Sequence, residues 1–321
     1  FLCSFILVTT SRRTTKGGMK IMIRLVKKFL GDVKHNYALY LMVLPIVIYY
    51  VVFHYLPMAG LIMAFEDFKP KLGIWRSPFT GLENFRDFFS SIYFGRTVCN
   101  TLAISGLELL ISFPVTILFA LLLNEIKGRH FKRTVQTVSY MPHFISMVVV
   151  AGLILDFCGS RGLAARIVSL FTGQNQNLLG KPEYWRPVYI VSGLWKELGF
   201  GSIIYLAALS GVDQQLYEAA AIDGANRLKQ TFHVTLPGIA PTIIIMLILK
   251  IGQIMSVGYE KTILLYNPQV YETADIISSY VYRKGLQEFN YGYSTAVGMF
   301  NSVINLVLLL ITNRISKRMT E

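Results

Sequence analysis

Two short stretches put charged and aromatic side chains inside otherwise apolar sequence. GLWKELGFG supplies Trp195, Lys196, Glu197 and Phe200, and a later run carries Lys250 and Gln253 one helical turn apart, then Ser256 and Tyr259. An ionisable group in an apolar segment is costly to bury, so it faces a bundle interior or a water-filled passage. Aromatic faces beside hydrogen-bonding groups suit saccharides, whose rings present apolar C–H faces edged by hydroxyls. That is the chemistry of recognition without bond breaking. Lys196 and Glu197 are adjacent, point in different directions on a helix, and are not expected to bridge to each other. Each is available to another subunit, and Lys250 suits a subunit interface equally well. Glu108, and Asn301 with Asn305 at i,i+4 spacing, read as groups that hydrogen-bond between helices.

Reactive constellations are missing from the sequence. It has no G-x-x-x-x-G-K-[ST] to cradle phosphates, no H-E-x-x-H and no nucleophile elbow. His35, His54, His130, His143 and His233 fall at no metal-ligand spacing. The chain is therefore expected to be no enzyme and to hold no cofactor or metal of its own. Cys3, Cys99 and Cys158 form no disulfide framework and read as small hydrophobic residues, with a Cys99–Cys158 disulfide as the minor alternative.

The elements that must position these residues are membrane helices. Hydrophobic residues make up 53% and charged residues 15% of the chain, against about 25% charged in soluble domains, and the mean hydropathy is +0.49. Six windows are long enough to cross a bilayer: Leu39–Phe65, Asn100–Asn124, Thr134–Phe157, Pro187–Gly211, Ile239–Tyr259 and Ser294–Asn313. Prolines 45, 57, 114 and 142 lie inside them and are expected to kink the helices without ending them.

Basic residues concentrate on one side. The N-terminal arm holds Arg12, Arg13, Lys16, Lys20, Arg24, Lys27, Lys28 and Lys34; the second connection holds Lys127, Arg129, Lys132 and Arg133; Arg227, Lys229, Arg314, Lys317 and Arg318 complete that side. The longer opposite loops are poorer in basic residues and carry offsetting acidic ones. Both termini are thus expected to be cytoplasmic. Topology and anionic lipid account for the net charge of +13, and nucleic acid need not be invoked. Residues 1–38 read as a basic arm, with Lys20–Leu30 either an amphipathic helix on the inner leaflet or a disordered segment. Residues 1–18 resemble neither a span nor a signal peptide, and Met19 is the more natural start. Residues 39–318 form the transmembrane domain.

Between the fourth and fifth windows, within the loop 213–237, lies EAAAIDGANRLKQTFHVTLP, from Glu218 to Pro237. Helix formers run through Ala221, Asp223-Gly224 is a turn signal, and a second short helix is expected to stop at Leu236-Pro237. Glu218-Ala219-Ala220, then Gly224, then VTLP ending at Pro237, resembles the EAA loop of ABC importer permeases, with Val234 where the family pattern has isoleucine. NYALYLMVLPIVIYYVVFHYLPM, GLENFRDFF and YMPHFIS resemble the carbohydrate class, in its oligosaccharide and polysaccharide-fragment subgroup.

The resemblance implies a fold, a function and partners. The fold is an all-α polytopic membrane protein, the six-helix type I ABC importer permease, in a bacterial cytoplasmic membrane. The function is oligosaccharide import. The partners are a second, homologous permease, two copies of an ATP-binding subunit that hold ATP and Mg, and an extracellular substrate-binding protein. Glu218, Ala219, Ala220, Asp223, Gly224, Leu236 and Pro237 would then receive the motion of the ATPase. Trp195, Lys196, Glu197, Phe200, Lys250, Gln253 and Tyr259, on the flanking helices, would line the sugar's path. The tyrosine-rich stretch after Tyr259, with ETADIISSYVYRKGL as a short helix, would dock the binding protein or cap the cavity. An ion-gradient-driven secondary transporter or channel subunit is the alternative; it predicts inverted repeats or broken helices with ion ligands, and the sequence shows neither.

Overall fold

The computed structural model describes residues 31–256 and 258–320, with the side chains of 317–320 left aside. The basic arm up to Leu30, its expected surface helix and Cys3 lie outside the described residues. The chain divides into two compact units, with the boundary between Leu61 and Ile62.

The first unit is dominated by the helix α1, Tyr37–Phe65, whose last turns pass into the second unit. It is apolar all round, and the 18-residue window that qualifies it as a span has no buried residue. A helix without a polar face belongs in lipid or against other membrane helices. Pro45 sits inside it as expected. Just before Leu56-Pro57 the helix widens into a π-turn, Val51–Tyr55, with the Leu56 amide donating to the Val51 carbonyl. The wide turn lies where the proline ring would otherwise meet the carbonyl four residues back.

The second unit is also helical. In chain order it contains α2 (Glu83–Ser90), α3 (Ile92–Glu125), α4 (Arg129–Tyr140), α5 (Met147–Cys158), α6 (Leu163–Thr172), α7 (Pro182–Ser210), α8 (Gln214–Ile222), α9 (Arg227–Gly252), α10 (Tyr259–Leu265), α11 (Tyr271–Ala274), α12 (Ile277–Tyr282) and α13 (Tyr291–Thr320). Among the described residues, five helical stretches are long and apolar enough to cross a membrane: Tyr37–Phe65, Ile92–Glu125, Met147–Thr172 (α5 and α6 with the turn between them), Arg227–Gly252 and Tyr291–Ser316. The fourth expected window falls in α7, which is 29 residues long but carries Arg186, Lys196 and Glu197 and is not one of the five.

Two expectations fail at chain breaks. Pro114 is carried within α3, but Pro142 divides the third window. There α4 gives way to a 3₁₀ turn at Met141–Phe144, and α5 starts afresh at Met147 with Ser146 as its N-cap. The fifth window is also too long, since α9 ends at Gly252, residues 253–256 turn, and α10 starts afresh at Tyr259. Asn305 of α13 holds that turn, accepting from the Met255 amide at 3.0 Å and donating to Ser256 Oγ at 2.7 Å. Cys99 is exposed, Cys158 is buried, and both are free thiols.

Apolar side chains gather in three clusters. One surrounds Trp185, Tyr189, Leu178 and Ile276; a second surrounds Phe88, Tyr280 and Tyr293; a third, around Tyr205, Leu209, Val212 and Ile239, lies beneath α8. Between the first two sits a buried carboxylate. Asp275 is wholly buried and takes both guanidinium nitrogens of Arg283, at 2.6 and 3.2 Å, with Arg96 at 3.3 Å and Ser279 Oγ at 2.9 Å. Its own carbonyl accepts from Asn100 at 3.1 Å, and Arg186 of α7 reaches Asn100 Oδ1 at 2.7 Å. Burial works against the charge of Arg283, but the hydrogen bonds and charge of Asp275 outweigh it and hold the guanidinium pKa above its ordinary value. The carboxylate thus ties α3 to the segment before α13, and the Asn100 bonds bring in α7.

Removing one member of a buried ion pair strands the other. Asp275→Ala should cost about 3–5 kcal/mol and lower the unfolding midpoint of the detergent-solubilised protein sharply. Asp67→Ala, which breaks the exposed Lys69–Asp67 pair, should cost under about 1 kcal/mol.

Candidate translocation cavity and its coupling loop

The EAA segment begins with a capped helix. The Asp213 carboxylate accepts from the Gln215 amide at 2.9 Å and starts α8. The helix ends in a left-handed glycine: Gly224 has φ +75°, its amide donates to Ala221, and the Ala225 amide reaches back to Ala220 at 2.9 Å. This pair of bonds is the Schellman termination, which favours a residue free to take positive φ. No atom lies within 4 Å of where a Cβ would stand at Gly224. The demand for glycine here is therefore conformational and not steric.

Asn226 then caps the next helix, accepting from the Lys229 amide at 2.9 Å. The expected stop at Leu236-Pro237 is absent, and α9 runs unbroken from Arg227 to Gly252. A second π-turn, Thr231–Thr235, precedes Leu236-Pro237, with the Leu236 amide donating to Thr231, as at Leu56-Pro57. The widened turn clears the proline ring, so the helix continues. Gly224 is thus the joint, and Pro237 sits within a rod.

One contact fixes α8 to that rod and a second fixes the turn after it. Tyr217 Oη donates to Thr235 Oγ1 at 3.0 Å, and Gln230 Nε2 donates to the Ala225 carbonyl at 3.1 Å. Tyr217 and Val234 also pack on the cluster around Tyr205 and Leu209. Glu218, Ala219, Asp223 and Gly224 are exposed, Ala220 is half-buried, and Ile222 is 87% exposed. Among the described residues Glu218 has no ion-pair partner.

At the far end of α9 lies a cavity of about 750 Å³ between α3, α7 and α9. Ser105, Glu108, Ser112 and Thr116 line it from α3, Glu197, Phe200 and Tyr205 from α7, Met246 and Lys250 from α9, and Gln253 and Ser256 from the following turn. Four of the seven sequence-derived path residues are on this wall: Glu197, Phe200, Lys250 and Gln253. Trp195 instead lines a separate, wholly apolar hollow with Leu153, Phe157 and Val188. Tyr259 opens α10, half exposed, with its ring 5.8 Å from that of Tyr282. Glu108, read as an interhelical group, also faces the cavity.

Lys196 is buried, and its Nζ donates to the His143 carbonyl at 2.7 Å. That carbonyl ends the 3₁₀ turn, where a cation is favoured. Contrary to the reading of adjacent residues pointing apart, Lys196 Nζ also lies 3.8 Å from Glu197 Oε1. They approach because both reach the same third residue: Glu197 Oε2 is 2.9 Å from His143 Nδ1. The His143 ring stacks on Phe200 at 3.8 Å with the planes 1° apart. Sequence reasoning missed His143; its only signal was a proline-histidine pair inside an apolar window. Lys250 has no ion-pair partner among the described residues. Lys261 of α10 points at the wall from behind, over the Tyr189 ring at 4.2 Å; burial lowers its pKa to about 8, opposed by the charges of Glu108 and Glu197.

A family model described as "Binding-protein-dependent transport system inner membrane component" matches residues 112–321. The polygalacturonan/rhamnogalacturonan transport system permease protein YteP of Bacillus subtilis is 46% identical over 298 residues, 92% of each chain. Protein LplB of the same organism is 40% identical over 294 residues, 91% of this chain and 92% of its own. The structure of a bacterial ABC transporter involved in the import of the acidic polysaccharide alginate superposes with a TM-score of 0.85 at 44% identity, covering 92% of this chain and 100% of that one.

The closest backbone approach beside the cavity is at Gly199, where a Cβ would stand 2.1 Å from the Ser139 carbonyl oxygen. Gly199→Ala should destabilise the protein by about 2 kcal/mol or more through overpacking and reduce monodisperse protein on size-exclusion chromatography. Gly201→Ala, whose Cβ would meet only the Thr116 methyl at 3.3 Å, should be recovered like the parent.

Proposed function

Because the chain belongs to the binding-protein-dependent transport system inner membrane components, we propose that its EAA loop receives the work of ATP hydrolysis and moves the cavity walls around an acidic oligosaccharide. The coarser part of this is plain: the chain is a permease subunit of a sugar or oligosaccharide ABC importer, resides in the cell membrane, and is not an enzyme. The ATPase is a separate subunit.

The observation that carries the coupling reading is the continuity of α9. Its 26 residues form a rod of about 39 Å at ~1.5 Å per residue. The loop helix is pinned near one end, and Lys250 stands near the other. A tilt of about 10° at the loop would displace the cavity end by about 7 Å over that length. Exposed α8, with Glu218 unpaired and small Ala219 and Ala221 outward, suits the surface of an ATP-binding subunit that binds ATP and Mg. Two such subunits, a second permease completing the cavity and an extracellular binding protein make up the proposed assembly. A solved relative of the same architecture is described with an alginate pentasaccharide-bound periplasmic protein. The proposed orientation places both termini and the EAA loop in the cytoplasm, with residues 39–318 as the permease domain.

The substrate reading rests on Lys250. It lines the cavity with no carboxylate partner among the described residues, and the transport substrates named for YteP and for the alginate transporter are acidic polymers. Uronate carboxylates would pair with it.

Glu218→Lys and Gly224→Val should each insert normally, yet lower ATP-driven oligosaccharide uptake at least about tenfold while ATP hydrolysis persists; wild-type transport by either would overturn the coupling role. Lys250→Gln should weaken competition by trigalacturonate in reconstituted vesicles and leave competition by neutral galactotriose unchanged. Equal effects on both sugars would remove the acidic-substrate reading.

A further inference from the structure

The break in the third window is pressed against α7 at several points, and His143 takes part in three of them. Its carbonyl receives Lys196, its Nδ1 meets Glu197, and its ring lies flat on Phe200. Next to them the Gly199 backbone packs directly on Ser139. Glu197 and Phe200 line the cavity, but His143 does not.

We propose that His143 is a positioning residue that sets the cavity's selectivity: it holds Phe200 as a fixed platform for a sugar ring and occupies the carboxylate of Glu197 so that an anionic sugar can pass it. The proposal rests on the reading of this cavity as the oligosaccharide route. A phenyl ring presented to a saccharide binds well only if its rotamer is held before the sugar arrives, since ordering it on binding costs entropy. The parallel imidazole 3.8 Å away supplies that restraint on one face, and Phe144 meets the ring edge-on at 5.8 Å.

Glu197 presents the complementary problem. A free carboxylate in the wall would repel a uronate, and here both oxygens are engaged, Oε2 by His143 at 2.9 Å and Oε1 by Lys196 at 3.8 Å. Lys196 is itself held on the His143 carbonyl. The same residue thus restrains the aromatic wall and hydrogen-bonds the carboxylate beside it.

The two roles separate by substitution in the assembled transporter with its binding protein, reconstituted in vesicles. With trigalacturonate and neutral galactotriose as probes, His143→Ala should raise the KM for the acidic sugar about tenfold, the size of a lost stack together with an exposed carboxylate, and that for the neutral sugar only about two- to threefold. His143→Phe, which restores the stack without the polar contact, should return the neutral sugar's KM to the parent value and leave the acidic one impaired. Equal KM changes for both sugars in His143→Ala, or none, would overturn the selectivity role. Fluorine NMR of 4-fluorophenylalanine at position 200 tests the positioning without transport. A resonance shifted by the stacked ring should move in His143→Ala and return in His143→Phe, and a resonance indifferent to both would overturn the proposal. If the parent transports neither probe, the substrate reading fails, and the fluorine measurement still decides what His143 does.

Discussion

The arrangement depends on the carboxylate of Asp275. Two arginines from separate elements converge on it, and a third is tied in through Asn100. A fully buried anion is tolerable only when its charge and lone pairs are matched, and here the match requires α3 to meet the segment leading to α13, with α7 attached alongside through Arg186 and Asn100. Of the helices that wall the cavity, α3 is therefore held ionically at the end remote from the EAA loop, with α7 hydrogen-bonded to it there through Asn100. At the loop end they are joined by apolar packing around Tyr205, Leu209 and Ile239. Apolar contacts are non-directional and can slide, whereas a buried ion pair has one good geometry. The fold is thus stiff at one end and able to shear at the other.

That asymmetry suits a machine driven from the loop. On the proposed coupling, movement would enter through α8, which ends at the left-handed Gly224, and would pass into a helix without interruption. Of the charged groups on the cavity wall, Lys250 is on α9 and Glu108 on α3, while Glu197 is anchored on α7 through His143 and Lys196. A tilt of α9 would change the distance between a cation and a masked carboxylate, and so alter the affinity of the wall for an anion during the cycle.

Much of this was legible in the sequence because lipid imposes strong rules. Long apolar helices, the EAA helix with Gly224 as its joint, and the placing of Glu197, Phe200, Lys250 and Gln253 on the helices flanking that loop follow from hydropathy, turn chemistry and the family pattern. The misreadings concern prolines and partners. Pro237 was expected to end a helix that a π-turn carries past it, and Pro142 was expected to bend one that it ends; the outcome depends on whether neighbouring turns can widen, which residue type does not encode. Lys196 and Glu197 looked divergent because adjacent side chains on a helix point apart, but long side chains converge when a third residue offers both a carbonyl and an imidazole. Trp195 falls on the other side of α7, against apolar residues.

The π-turn at Thr231–Thr235 has a geometric consequence of its own. It accommodates one residue more than an α-turn over the same stretch. Closing it to α-geometry by deleting a single residue would rotate everything before it by about 100° about the helix axis and shift it by ~1.5 Å. The turn is therefore a phase setting. It sets which side of α8 looks outward when the cavity residues of α9 look inward, so that the azimuth of the proposed docking face and that of the cavity wall are matched by the winding of five residues.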